Sequence, residues 1–262
     1  MQNRTSRMLC GVSVAAAMAF SPVTQANHSW GSYHWSRTSN PFTLTVADNV
    51  SSGWDASFGL MISDWSKSSV VRLARADGTV ANLRKCNPTR GRVEVCNYSY
   101  GRNGWLGIAQ IWASGNHITQ GTVKLNDTYF AMSAYNKPEW RNMVMCQEVG
   151  HTLGLDHQDE DFYNANLGTC MDYTSNPAAS PNNEHPNLHD YDQLAAIYSH
   201  LDAPGTFLSS PTNEAAGNVP EDWGRLMRTS NGGRTEVFEH ELGGGHRVIT
   251  FVIWAEPRGK GH

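Results

Sequence analysis

The spacing of apolar residues predicts strands and helices in the first half of the chain. Residues 42–47 alternate well enough for a strand, and residues 54–67 carry large apolar side chains at helical spacing. Runs rich in branched and aromatic residues, separated by Gly and Asn turns, predict strands at 69–75, 105–112 and 118–126. A strand, a helix and then several strands indicate an α+β fold with a mixed sheet.

The second half begins with a helix whose two ends are marked in the sequence. Pro138 can open it, because the first turn of a helix leaves that N–H unpaired in any case. The helix should run to about Leu153 and stop at Gly154, which can adopt the left-handed conformation common at helix ends. A Pro/Asn/Ser-rich loop follows at 174–188, and apolar spacing over 191–198 predicts a closing helix.

The two ends of the chain differ in composition from the part between them. Two arginines, an apolar run over 8–20 and small residues before Ala26 have the layout of a secretory signal peptide. No later apolar run is long enough to span a bilayer. Near the other end, two short β-like runs flank Gly243-Gly244-Gly245 and predict a hairpin. The expected division is a signal peptide (1–26), a domain (27–202) and a linker with a β-hairpin extension (203–262).

Charge narrows the range of partners. Loss of residues 1–26 removes two arginines and no acidic residue, so the formal net charge falls from −4 to −6. A mildly acidic surface argues against nucleic acid or an anionic membrane as the main partner. The signal peptide predicts that the protein is secreted, and we expect it to be a monomer.

Four cysteines remain after the signal peptide, and they allow three pairings. Cys86 and Cys96 flank a turn-rich segment, so a hairpin over 80–98 closed by Cys86–Cys96 is the first choice. That choice leaves Cys146 to pair with Cys170. Free buried thiols are the alternative, which suits an oxidising compartment less well.

The helix that begins at Pro138 carries residues that suit a metal. Gln147 and His151 lie one turn apart and face the same way, with Glu148 beside them. Gly154 lets the chain fold back, so that His157 can join as a third ligand. Three ligands leave the fourth position on zinc open to water, which is typical of a catalytic site. Zinc lowers the pKa of that water, and Glu148 could take its proton.

Five residues at fixed offsets resemble the signature of the metzincin clan of zinc endopeptidases, most nearly its matrixin-like members: Glu148, His151, Gly154, His157 and Met171. That signature is H-E-x-x-H-x-x-G-x-x-H, followed by a methionine in a tight turn beneath the metal. The resemblance covers about residues 40–202. It implies a metzincin-like catalytic domain, with a mixed twisted sheet, a long zinc-site helix, a Met-turn and a C-terminal helix.

The resemblance also implies an activity, which is zinc-dependent hydrolysis of peptide bonds in a protein or peptide substrate. Glu148 would be the general base and Met171 would support the site. Tyr173, two residues after the methionine, would steady the oxyanion. The run from Trp105 to Trp112 resembles the edge strand with which such enzymes pair an extended substrate, and an ordinary inner strand is the alternative.

Gln147 departs from the signature, because it stands where the first metal-binding histidine is expected. Three interpretations compete. The amide oxygen of Gln147 is a weak third zinc ligand, since it is a poorer zinc donor than imidazole. Alternatively, two histidines and an acidic residue hold the metal. In the third interpretation no metal binds, and the chain is a non-catalytic, secreted binding protein on a metzincin fold.

Other polar residues have less specific interpretations. An acidic group follows the motif and predicts a solvated loop, with a calcium site as the alternative: Asp156, Asp159, Glu160 and Asp161. Isolated histidines such as His117 are expected to be surface or hydrogen-bonded groups rather than ligands.

Overall fold

The computed structural model describes residues 28–203 and 216–255. The expected signal peptide and most of the expected linker lie outside the described residues. The strands are β1 (His34–Trp35), β2 (Phe42–Asn49), β3 (Val71–Asp77), β4 (Arg92–Tyr98), β5 (Trp105–Ser114), β6 (His117–Asn126), β7 (Arg225–Ser230), β8 (Thr235–Gly243) and β9 (His246–Trp254). The α-helices are α1 (Asp55–Trp65), α2 (Asp127–Phe130), α3 (Pro138–Thr152) and α4 (Leu188–Ile197).

All the strands belong to one mixed sheet, in the order β3-β2-β4-β6-β5-β9-β8-β7, with β1 beside the start of β6. Neighbouring strands from β3 to β6 run parallel, whereas β5 is antiparallel to β6 and every later pair is antiparallel. This arrangement confirms the expected α+β class with a mixed sheet. Within the described residues, no helix is long and apolar enough to cross a membrane.

Helix α1 packs against α3 through its aromatic face, as its apolar spacing predicts. Phe58, Met61 and Trp65 are buried in the main core. The Trp65 indole also donates a hydrogen bond to the carbonyl of Cys146 on α3, at 3.1 Å. Burying a large apolar side chain contributes about 1.5–3 kcal/mol to stability, so these contacts hold α3 firmly in place.

The end of α3 matches the prediction from Gly154. This residue has φ of 95°, and a Cβ atom there would lie 2.3 Å from the backbone oxygen of Tyr33. Only glycine avoids both the strained conformation and the clash. The chain therefore turns sharply after α3 and brings the following residues back towards the helix.

Both predicted disulfides are confirmed, Cys86–Cys96 and Cys146–Cys170. They are in keeping with an oxidising compartment. The predicted hairpin over 80–98 is wrong, because only residues 92–98 form a strand. Strand β4 has parallel neighbours on both sides, β2 and β6, so no edge is left for a hairpin partner. The first disulfide instead fastens a loop to β4.

The predicted C-terminal hairpin exists as β8 and β9, but it does not stand apart as a small extension. Strand β9 pairs along β5 from Trp105↔Trp254 to Ser114↔His246, and β7 adds a third strand beyond β8. An apolar β9 and the open edge of β5 explain this docking, since an edge strand presents unpaired N–H and C=O groups. The run from Trp105 to Trp112 is consequently an inner strand, and the expectation of a free substrate-binding edge is wrong for this structure.

Candidate metal centre

The turn after α3 brings two predicted ligands face to face. The Nε2 atoms of His151 and His157 lie 3.0 Å apart, and both side chains are buried. We call these two residues the central pair. Two nitrogen ligands on a tetrahedral zinc ion lie about 3.3 Å apart when the bonds are about 2.0 Å long. The spacing of the central pair is therefore close to that of zinc ligands.

Hydrogen bonds on the far side of each ring fix which nitrogen carries the proton. Nδ1 of His151 lies 2.9 Å from the carbonyl oxygen of Leu155, which can only accept. Nδ1 of His157 lies 3.1 Å from a carboxylate oxygen of Glu160. Each Nδ1 is thus a donor, so in the neutral form of each ring Nε2 carries a lone pair directed at the other ring. Two such lone pairs at this distance repel, and a cation bound to both would remove the repulsion.

A proton on His151 does not suit this position. Burial first, and then the proximity of His157, lower the pKa of His151 to about 3. In zinc sites, one nitrogen of a neutral histidine ring binds the metal and the other donates a hydrogen bond to a carbonyl or carboxylate oxygen, as Nδ1 can in both rings here. The donor set of the central pair therefore fits a metal ion.

Gln147 and Glu148 add buried polar atoms that lack hydrogen bonds of standard geometry. Both side chains are fully buried, and none of their four oxygen and nitrogen atoms makes a hydrogen bond of standard geometry. Burial raises the pKa of Glu148 well above its usual range, and the nearby backbone of Ala109 offsets only part of this. Each unsatisfied buried group costs about 1–3 kcal/mol. Such atoms beside the central pair fit a site that is completed by a ligand.

Two glycines allow neighbouring elements to approach α3 closely. A Cβ atom on Gly107 of β5 would lie 2.5 Å from Oε1 of Glu148. A Cβ atom on Gly150 would lie 2.6 Å from the sulfur of Met171. Met171 is buried and lies against α3 beside the predicted ligands. Its position is compatible with the supporting role expected from the sequence.

Tyr173 lies at the site, but its hydroxyl group is engaged. The ring meets the edge of His157 with centroids 5.4 Å apart. The hydroxyl donates to the backbone oxygen of Arg234 at 2.9 Å. Burial raises the pKa of Tyr173 well above its usual range, so the group stays protonated. It could steady an oxyanion only after leaving Arg234.

The C-terminal strands β7, β8 and β9 cover the site. The ring of Phe251 on β9 stacks on His151 with centroids 4.4 Å apart and an interplanar angle of 4°. On β7, Arg228 makes two hydrogen bonds to Asp156, at 2.5 and 2.6 Å, and lies 3.2 Å from Glu160. The central pair is consequently enclosed between α3 and the C-terminal strands.

The acidic group after the motif is only partly open to solvent: Asp156 is buried, Asp159 and Glu160 are half-buried, and Asp161 is exposed. Asp156 binds Arg228, and Glu160 binds both Arg228 and His157. Asp159 accepts a hydrogen bond from the backbone amide of Asp161 at 2.7 Å. Asp156, His157 and Glu160 place three possible ligand atoms within 4.8 Å of one another, and the calcium site stays a prediction. Glu160 reaches Nδ1 of His157 and not Nε2, so it orients that ring rather than joining it as a ligand.

Two residues of the site and the role of a third did not come from the sequence. Glu160 was expected in a solvated or calcium-binding loop, and its position three residues after His157 could have indicated an orienting group. Phe251 and Arg228 had no local signal, because they reach the site only through the pairing of β9 with β5. Comparisons with protein-family models and with curated proteins found no match to this chain.

Proposed function

We propose that this chain is a zinc-dependent endopeptidase whose active site is the central pair with Glu148. One observation carries the proposal: two buried histidine Nε2 atoms face each other at 3.0 Å, and a buried carboxylate without a hydrogen bond of standard geometry lies on the same helix, three residues before His151. The resemblance of the motif to metzincins supports the choice of peptide bonds as the substrate class.

His151 and His157 would hold the zinc ion, and Gln147 would be a weak third ligand one turn before His151. Zinc at this position would supply a polarised carbonyl and an activated water. Glu148 would take the proton of that water and pass it to the leaving amine nitrogen. Burial alone raises the pKa of Glu148, but the charge of a bound zinc ion would lower that pKa again and keep the carboxylate ionised. The carboxylate makes no competing hydrogen bond of standard geometry.

The substitution at Gln147 affects binding strength more than chemistry. An amide oxygen and an imidazole nitrogen are both neutral, so the charge on the zinc site is unchanged. The amide oxygen is, however, the weaker zinc donor. We infer a site that binds zinc less tightly than a site with three histidines, and the Cys146–Cys170 bond would hold that site in shape by joining α3 to the Met171 turn.

The cover over the site bears on the activity. A peptide that pairs with β5 would have to displace β9, which occupies that edge in antiparallel register. The proposal therefore requires the C-terminal strands to open. The same cover favours the second candidate function, a secreted binding protein on a degenerate peptidase fold that performs no catalysis.

Cleavage of an unstructured protein by the purified full chain tests the proposal. Cleavage should depend on zinc, stop when a chelator is added, and fall by about 100-fold or more in Glu148→Gln, which keeps the shape but loses the base. Glu139→Gln, at the start of the same helix, is the matched control and should keep wild-type activity.

The binding-protein alternative predicts a different result. A wild-type chain that holds no zinc at the central pair and cleaves nothing, but gains both properties with Gln147→His, would leave only that alternative.

A further inference from the structure

A second group of metal-binding side chains meets at the surface, away from α3. Its members come from three segments that are distant in sequence, and we call them the outer cluster: His34, His117, His200 and Asp202. They lie on β1, at the start of β6, and in the residues that follow α4. None of them belongs to the central site.

The ligand atoms of His34, His117 and Asp202 all lie within 4.8 Å of one another. Oδ1 of Asp202 lies 3.0 Å from Nε2 of His117 and 3.6 Å from Nε2 of His34, and ligands on a tetrahedral zinc ion are about 3.3 Å apart. His200 stands beside this group of three, with its Nε2 atom 3.2 Å from Nε2 of His34 and 3.8 Å from Oδ1 of Asp202.

Hydrogen bonds to Ser32 and Arg37 orient His34 and Asp202, so that Nε2 and Oδ1 face the centre of the cluster. Nδ1 of His34 donates to the backbone oxygen of Ser32 at 2.7 Å, which leaves its Nε2 with a lone pair facing the cluster. Oδ2 of Asp202 accepts from the backbone and side chain of Arg37, at 3.0 and 3.3 Å. Oδ1 is thereby left for the histidines. Such outer partners are typical of metal ligands, because they fix ring tautomer and carboxylate orientation.

The fold assembles these ligands without help from an ion. Strand β1 pairs with β6 so that His34 lies directly opposite His117. The residues after α4 are held to the same place, because the amide of Asp202 donates to Arg37 at 2.8 Å and the Arg37 guanidinium donates to the carbonyl of His200. The site is therefore largely built in advance.

Access and burial are also suitable. The side chains of His34 and Asp202 are each 7% exposed, whereas His200 is 53% exposed. His34 and His200 also line a surface cleft of about 440 Å³. An ion can thus enter from the solvent side and meet ligands that are already desolvated on the other side.

We propose that the outer cluster binds a zinc ion as a structural site. His34, His117 and Asp202 would supply three ligands, and the exposed His200 would turn in as the fourth. A closed shell of four protein ligands is typical of a structural rather than a catalytic zinc. The ion would join β1, the start of β6 and the segment after α4. This inference does not depend on the proposed peptidase activity.

Zinc binding by the full chain, after removal of metal with a chelator, tests the proposal. The double variant His117→Ala/His200→Ala removes two ligands that are at least partly exposed, so it should fold. We expect it to bind about one zinc ion fewer per chain than the wild type. Saturating zinc should raise the Tm of the wild type by about 5 °C more than that of the variant, since an ion that binds only the folded state stabilises it.

His240→Ala is the matched control, because His240 is exposed and lies outside both clusters. It should bind zinc as the wild type does, and circular dichroism should show that all three proteins are folded. A loss of one zinc in the double variant supports the proposal whether or not the central pair is filled. Equal zinc content and equal Tm rise in the wild type and double variant would overturn it, as would a wild type that binds no zinc.

Discussion

The central pair and the outer cluster are two histidine groups in one chain, and they differ in donors and in access. The central pair offers two imidazoles, and the buried amide of Gln147 lies one helical turn before His151. Strands β7, β8 and β9 enclose this site. The outer cluster offers three imidazoles and a carboxylate, with one ligand open to solvent. Four protein ligands are typical of a structural zinc site, whereas a catalytic zinc site has fewer protein ligands and an open position for water. The two proposals therefore predict a tight outer site and a weak, shielded central site.

Exposing the central pair to solvent should have the largest effect on stability and on the rate of zinc uptake. Phe251→Ala removes the ring that stacks on His151, and such a change in a core costs about 3–5 kcal/mol. We expect faster amide exchange in β9 than in β4 and faster uptake of zinc by the central pair. Val252→Ala, on the opposite face of β9, is the control and should not speed uptake. Equal uptake in the wild type and Phe251→Ala would show that the strands do not shield the site.

Completing the donor set should have the next largest effect. Gln147→His replaces the weak amide oxygen with an imidazole, so zinc affinity at the central pair should rise by about 100-fold. Zinc binding at the outer cluster should not change. Isothermal titration of the metal-free chain measures both. If the affinity of the central pair stays the same, Gln147 does not point at the metal, and two histidines alone define that site.

Gly150→Ala, which crowds α3, should have a smaller effect. It should lower the free energy of unfolding and disturb the central pair, but not the outer cluster. A methyl group at Gly150 would press on Met171 and Trp65, which lie 2.6 and 2.8 Å from its position, and overpacking costs about 1–3 kcal/mol. Gly59→Ala on α1 is the matched control, since nothing lies within 4 Å of its added carbon. That variant should gain up to about 1 kcal/mol from helix propensity. Chemical denaturation compares the two, and equal stability would contradict the close packing of Met171 under α3.

Local signals explain what the sequence predicted. Pro138 and Gly154 mark the two ends of α3, and the observed helix ends within two residues of the expected stop. The spacing of His151 and His157 around the turn at Gly154 predicted that they would meet, because helix and turn geometry are short-range. The turn-rich segment between Cys86 and Cys96 predicted the first disulfide, and Cys146–Cys170 followed as the remaining pair.

Pairing between distant segments explains what the sequence did not predict. The segment 80–98 has hairpin-like turns, yet β4 pairs only with strands that are far from it in sequence. Phe251 reaches His151 because β9 docks on β5, and no local pattern encodes that register. His117 was expected to be an isolated polar group, and it joins His34 only through the pairing of β1 with β6.

Anomalous X-ray diffraction at the zinc absorption edge, from crystals of the full chain grown with zinc, tests the central claim most directly. We predict a peak bonded to Nε2 of both His151 and His157, and a second peak within the outer cluster. Absence of zinc between the two Nε2 atoms, with the pair still 3.0 Å apart and the outer cluster occupied, would contradict the central claim.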